Sequence, residues 1–227
     1  MSLLQAVVFD LDDTLYCERE YAFSGFDAVA GAFADRLGDP DSTAAELRQL
    51  FDTPHRARVF NEILLRRNLP ADEKLIRDLI DGYRTHTPRI ALHPDADAAL
   101  DRLRGRSKIG LISDGWLVAQ SAKVDALGLW DRVDEVILTD QWGREFWKPH
   151  QRAFIEMALR FDLEGVTCAY VADNPAKDFV APRALGWQTV QIKRPDGVYR
   201  DSAPAENGHP HHLITTLDLL DDVLGLA

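Results

Sequence analysis

The chain has 227 residues, enough to bury a substantial core as one large domain or as a domain carrying an insertion. Its 37 acidic residues against 26 Lys and Arg give a formal charge of -11, which argues against nucleic acid or an anionic membrane as partner, because both require a basic footprint. Any anionic ligand must be met by positive groups placed locally. The two cysteines, Cys17 and Cys168, lie far apart with neither metal-ligand nor redox spacing, and the first residues carry no basic segment followed by a long apolar run. The expectation is a reduced, cytoplasmic protein without a membrane span. Nothing near either cysteine supplies the cationic setting of a reactive thiolate, and Cys168 reads as a buried strand residue.

The first predicted element is the short apolar run Ala6-Val7-Val8-Phe9, rich in β-formers and cut off by acids, which reads as a buried central strand. Asp10 then sits at the carboxyl end, where open parallel α/β sheets bind their ligands. Three acids in four residues, Asp10, Asp12 and Asp13, repel one another unless a cation neutralises them, and hard oxygen ligands of this kind suit Mg²⁺.

From Tyr16 to about Thr87 the pattern is helical. Phe23, Phe26, Val29, Ala30 and Phe33 recur at helical spacing, and Gly38-Asp39-Pro40 ends that element. Thr43 with Glu46 reads as a capping box for a second helix, Thr53-Pro54 as the start of a third, and Asp72 to Tyr83 as a fourth. No strand pattern interrupts the stretch, so residues 17–92 are expected to form a helical cap inserted into a core made of residues 1–16 and 93–227. His55, Arg56, Arg58, Asn61, Arg66 and Arg67 cluster on one predicted cap helix. They read first as its solvated face. Arg56 and Arg58 are the candidates for substrate contacts.

From His93 helix and strand alternate. Helix Asp95 to Arg104 leads to strand Lys108 to Ile112, and helix Trp116 to Leu127, closed by Gly128, leads to strand Glu135 to Leu138. A helix begun by Pro149, strand Ala169 to Ala172, a helix ending near Leu185-Gly186 and strand Thr189 to Ile192 follow. This alternation implies an α/β fold with a doubly wound, Rossmann-like parallel sheet. Residues from Arg194 to His212 read as loop, with Thr215-Thr216 opening a last helix through Leu224. His209, His211 and His212 lack an acid or Cys at ligand spacing and read as solvated loop.

Three further strand ends carry chemistry. Ile109 to Ile112 runs into Ser113-Asp114-Gly115, a hydroxyl and a turn ahead of a helix N-terminus, which suits phosphate. Lys148 follows the aromatics Trp142, Phe146 and Trp147. Val171-Ala172 runs into Asp173-Asn174-Pro175, with a second acid at Asp178. Each is weak alone, since turns and caps use the same residues. In this order, Asp10 to Thr14 (DxDxT), Ser113, Lys148 and the pair Asp173 and Asp178 resemble the four motifs of the haloacid dehalogenase superfamily, in its phosphatase form with a helical cap after the first motif. Ala172 stands where that family commonly has Gly.

The resemblance implies a phosphatase acting on a small-molecule phosphate ester, with Asp10 as nucleophile and Asp12 as general acid and then base. It also implies Mg²⁺ held by Asp10, the Asp12 carbonyl and Asp173. Ser113 and Asp114 would meet the phosphate, Lys148 would neutralise nucleophile and phosphoryl group, and Asp178 and Asn174 would orient Lys148 or metal-bound water. Thr14 would brace the loop. A cap of this kind would close over the site, turning on connections near Tyr16 to Glu18 and Thr87 to His93. Asp12 and Asp173 argue against a dehalogenase, and the second motif acid against a phosphonate hydrolase. A phosphomutase using the same residues and a catalytically silent phospho-ligand binder are the alternatives.

Overall fold

The computed structural model describes residues 4–70 and 72–226. The chain divides into two compact units, Met1–Glu18 with Ala91–Ala227, and Arg19–Ile90.

The first unit is built on β1 (Ala6–Phe9), β2 (Lys108–Ser113), β3 (Glu135–Leu138), β4 (Cys168–Ala172), β5 (Gln188–Ile192) and β6 (His212–Ile214). They form one sheet in the order β3-β2-β1-β4-β5-β6, every pairing parallel. The chain winds from β1 toward β3 on one side and from β4 toward β6 on the other. The order therefore reverses between β1 and β4, where the connecting segments diverge and leave a crevice beyond the strands' carboxyl ends. All four residues of β1 are buried, as a parallel strand covered on both faces requires.

Helices Pro94–Leu103, Leu117–Ala126, Arg152–Phe161 and Val180–Ala184 supply the crossovers. On one face Phe154, Met157 and Phe161 pack with Phe179 and Trp187 against Ala6, Val8, Tyr170 and Ala172. The Phe154 ring meets Tyr170 and Trp187 edge-on, with centroids 4.9 and 5.6 Å apart. Gly110, opposite Val8, fixes how closely this layer approaches, because a Cβ there would lie 2.8 Å from the Met157 sulfur.

Two boundaries differ from the sequence reading. The helix expected from Pro149 begins at Arg152, since a turn follows Lys148. β6, a three-residue edge strand too short to register as alternation, lies between the end of the stretch read as loop, at His212, and the helix start expected at Thr215. His211 is fixed there by Thr189, whose backbone N–H donates to Nδ1 at 3.0 Å.

The second unit is helical: α1 (Glu18–Ala32), α2 (Ala34–Leu37), α3 (Pro40–Phe51), α4 (Val59–Arg66) and α5 (Glu73–Thr85). It has its own core, in which Ala22, Phe26 and Val29 of α1 meet Leu47, Leu50, Phe60, Ile63, Leu64 and Leu79. Asp39, not Thr43, caps α3, accepting from the Ser42 N–H at 2.8 Å with Pro40 in the first turn. The capping-box reading thus fell four residues late. Thr53-Pro54 lies in a turn and α4 begins at Val59. The cationic run is consequently not one helix. Arg56 and Arg58 sit in a 3-10 turn, Arg66 is in the last turn of α4, and Arg67 folds back on Glu46 at 2.9 Å and Thr43 at 2.7 Å. Arg58 is exposed, and Arg56 is half-buried with its guanidinium 5.7 Å from the centre of the Phe51 ring.

Candidate active site

β1 ends at Phe9, and the Asp10 N–H donates to the Val171 carbonyl at 2.9 Å, carrying the pairing with β4 one residue past the strand. Asp10, Ser113 at the end of β2 and Asp173 after β4 therefore stand side by side on three adjacent strands. Sheet geometry alone assembles residues more than 160 positions apart in sequence.

Asp10, Asp173 and Asp178 are buried and offer one carboxylate oxygen each within 4.8 Å of one another. Into them reaches Lys148, whose side chain has 0% exposure, with Nζ 2.6 Å from Asp10 Oδ1 and 2.9 Å from Asp178 Oδ1. Lys148 also donates to the Tyr170 hydroxyl at 2.9 Å. A desolvated ammonium survives only among carboxylates. Here burial opposes its charge, but Asp10, Asp178, Tyr170 and Asp114 together hold it well above the ordinary lysine range. Three buried carboxylates against this ammonium remain under-compensated. Burial, only partly offset by Lys148 and reinforced by Asp178, pushes Asp10 from 3.8 up to about 7. Burial and the neighbouring Asp178, Asp10, Asp13 and Glu18 push Asp173 well above its usual range. A compact set of hard oxygen donors with surplus negative charge fits a divalent cation.

Asp12 lies in a different environment. Its Oδ1 receives Lys123 Nζ at 2.6 Å and the Tyr16 hydroxyl, and its Oδ2 receives Gln120 Nε2 at 2.9 Å. Burial would raise its pKa, but Lys123 and the hydrogen bonds from Lys123, Tyr16 and Gln120 outweigh it and hold the carboxyl below its usual range. Two acids two residues apart thus have pKa values pushed in opposite directions. Opposed environments of this kind separate nucleophile from proton carrier in many sites.

Asp114 was read as a phosphate ligand, but its carboxylate accepts from Thr139 Oγ1 at 2.8 Å, the Lys148 N–H at 3.1 Å and Lys177 Nζ at 2.7 Å. An anion so engaged has no donor to give a phosphate. It ties the Lys148 backbone to the Lys177 ammonium. Gly115, at φ 130°, makes the turn that follows. Ser113 Oγ accepts from Gln120 Nε2 at 2.7 Å and remains the hydroxyl at this strand end. Asn174 Oδ1 accepts from the Ala176 N–H at 3.0 Å while its own N–H donates to Asp178 at 3.1 Å, closing the loop that presents both acids. Thr14 is fully buried, and its carbonyl accepts from Arg194 Nη2 at 2.8 Å. Asp13, left out of the sequence assignment, pins the loop by accepting from the Glu18 and Val198 N–H groups at 2.8 and 2.7 Å.

Sequence reading missed Lys123, Gln120, Lys177 and Tyr170. For the first two the signal existed. Ala119, Gln120, Lys123 and Val124 share the buried face of the helix Leu117–Ala126, so two polar residues occupy core positions.

Residues 4–186 match the sequence profile of haloacid dehalogenase-like hydrolases. The chain belongs to that family. A glyceraldehyde 3-phosphate phosphatase of Methanopyrus kandleri is 30% identical over 212 residues, covering 89% of this chain and 88% of the relative. Another, from Methanocaldococcus jannaschii, is 27% identical over 230 residues, with 98% and 97% covered. Among solved structures, a subfamily IA hydrolase of the superfamily from Geobacter sulfurreducens superposes with a TM-score of 0.72 at 19% identity over 99% of this chain and 98% of its own. A superfamily phosphatase from Thermococcus onnurineus gives 0.63 at 23%, with 98% of each chain covered. These two likenesses establish the fold. The haloacid dehalogenase-type protein is thus a phosphoric monoester hydrolase, and its described residues contain no helix long and apolar enough to cross a membrane.

Proposed function

We propose that this hydrolase is a Mg²⁺-dependent phosphatase that cleaves a small phosphorylated metabolite, of the sugar phosphate or nucleotide-like monoester class, through an aspartyl-phosphate on Asp10. The observation that carries the reading is Asp10 at a buried strand end, ion-paired to Lys148 at 2.6 Å and clustered with Asp173 and Asp178. A cation held by Asp10 and Asp173, with the Asp12 carbonyl, would supply charge neutralisation for nucleophile and phosphoryl oxygens.

The chain's own residues account for the rest. Phosphoryl transfer needs positioned oxygens and compensated charge more than covalent help. A carboxylate oxygen of Asp10 attacks phosphorus as the bond to the ester oxygen breaks, and Asp12 protonates the departing alkoxide. A water then attacks the aspartyl-phosphate, Asp12 takes its proton, and inorganic phosphate leaves with Asp10 regenerated. Lys148, fixed by Asp178 and Tyr170, offsets the repulsion between the carboxylate and the phosphoryl group. Ser113 donates to a phosphoryl oxygen. The Asp12 carboxylate, ionised in this geometry, is in the form the second step uses, and it takes up a proton before the first.

The helical unit is the natural source of substrate selection, with Arg56 and Arg58 as its cationic candidates. Four relatives bearing the name glyceraldehyde 3-phosphate phosphatase favour a short sugar phosphate as substrate. Phosphate release from glyceraldehyde 3-phosphate and a panel of phosphorylated metabolites, with Mg²⁺ and after chelation and dialysis, tests this. Turnover that requires the cation and ranks short sugar phosphates first is expected. Full activity in the chelated, dialysed protein would refute it.

A further inference from the structure

The Asp12 carboxylate is held by one neighbouring helix more completely than loop closure requires. Lys123 and Gln120 come from the helix Leu117–Ala126, and with Tyr16 they occupy both Asp12 oxygens. The Lys123 side chain is only 7% exposed. Lysines ordinarily run along apolar surface and leave the ammonium in water, so a buried one needs a dedicated partner. At 2.6 Å that partner is Asp12. Gln120 Nε2 lies within hydrogen-bond distance of Ser113 Oγ at 2.7 Å and of the Asp114 carbonyl at 2.6 Å. One rigid helix thereby ties the acid after β1 to the hydroxyl and turn after β2. Apolar side chains at these two core positions would pack without desolvating a charge and an amide. Their chemistry points to the acid rather than to folding.

We infer that Lys123, seconded by Gln120, is a positioning residue for the proton-transfer acid, fixing the direction in which Asp12 presents its carboxyl group to the leaving oxygen. The inference rests on the role proposed above for Asp12. Lys123 does not touch the phosphoryl group in this reading. It removes the rotational freedom of a short side chain that must serve two successive proton transfers from one place.

Leaving groups separate positioning from mere support. The value of kcat/KM covers the steps through cleavage of the ester bond. An alkyl alkoxide needs its proton there and p-nitrophenolate scarcely does. Lys123→Met, Lys123→Arg, Gln120→Leu and Asp12→Asn are compared with wild type on p-nitrophenyl phosphate and on the alkyl phosphate that wild type cleaves fastest. Lys123→Met is expected to lose at least about tenfold more kcat/KM on the alkyl ester than on the aryl ester, the scale of a general-acid contribution. Lys123→Arg should restore most of the difference, and Gln120→Leu should show the same bias more weakly. Equal losses on both esters, or no loss on either, overturn the inference. If Lys123→Met does not fold, Gln120→Leu decides by the same ratio. If Asp12→Asn shows the bias and the Lys123 and Gln120 variants do not, only this inference fails. If Asp12→Asn shows none, the role of Asp12 itself is wrong and the inference falls with it.

Discussion

The charge imbalance around Asp10 predicts a strong coupling between pH and cation binding. Asp10 is raised from 3.8 to about 7, first by burial and then by Asp178, with Lys148 pulling the other way. Without a cation the folded protein therefore keeps a proton that the unfolded chain releases. Its stability falls as pH rises from near 4 to near 7, by about 4 kcal/mol from this residue at 1.36 kcal/mol per pH unit. A cation must displace that proton. At pH 5 about one Asp10 in a hundred is ionised, against roughly three quarters at pH 7.5, so the apparent Kd for Mg²⁺ should drop by roughly 75-fold, worth about 2.5 kcal/mol. Asp173, raised by burial and by Asp178, acts in the same direction and makes this a lower bound. Asp12, Asp95 and Asp114 are depressed, so their contributions are lost only below about pH 4 and stay constant across this window. His211, pushed down by partial burial and by Arg183, adds stability as pH rises, and the comparison with and without cation cancels it. Calorimetric titration of the chelated protein with Mg²⁺ at pH 5.0 and 7.5 reads the ratio. Melting gives a second readout. At equal Mg²⁺ concentration the cation should add roughly 5–10 °C more at pH 7.5 than at pH 5.0, from 2–4 °C per kcal/mol in a chain of this size. An affinity that does not change between the two pH values would mean that Asp10 is already ionised at pH 5, and the charge argument would be wrong.

Asp10→Asn should abolish phosphate release in a preparation free of deamidation, and wild-type rates there would unseat it as nucleophile. Lys148→Met strands Asp10 and Asp178 without their cation and should cost about 3–5 kcal/mol. Because Asp10 without Lys148 holds its proton more tightly in the folded state, the loss in urea midpoint should shrink at pH 5 relative to pH 7.5, and a pH-independent loss would show that the ion pair is not its origin. Arg56→Ala and Arg58→Ala should change relative kcat/KM among phosphate esters while leaving Mg²⁺ dependence intact. Equal effects on every ester, or none, would remove these arginines from substrate selection.

What the sequence disclosed and what it hid follow from the range of the forces involved. Strand ends are written locally: an apolar run of four or five residues that stops at an acid or hydroxyl marks a buried strand delivering that group to the rim of a sheet. Asp10, Ser113 and Asp173 were legible for that reason, and the reversal of strand order between β1 and β4 then brings their carboxyl ends together. Helix starts were less legible, because a Thr three residues before an acid looks like a cap whether or not the chain uses it. Asp39, beside Pro40, competed with Thr43 for α3 and won through the proline's fixed φ. The edge strand β6 was invisible because three residues with mixed polarity carry no period. Least legible were the side chains that reach the site from elsewhere. Asp114 carries a charge that sequence position assigns to phosphate, yet the fold surrounds its carboxylate with the Lys177 ammonium, the Lys148 backbone N–H and a threonine hydroxyl. Lys123 shows the converse. A lysine amid Ala119, Gln120 and Val124 looks like a solvent-facing residue until helical spacing is followed through, when it falls on the buried stripe and must have an acid to answer it. That acid is Asp12, 111 residues earlier in the chain. Polar residues on a predicted core stripe are therefore the sequence signal most worth following toward this site, because burying them without a partner costs more than most single contacts return.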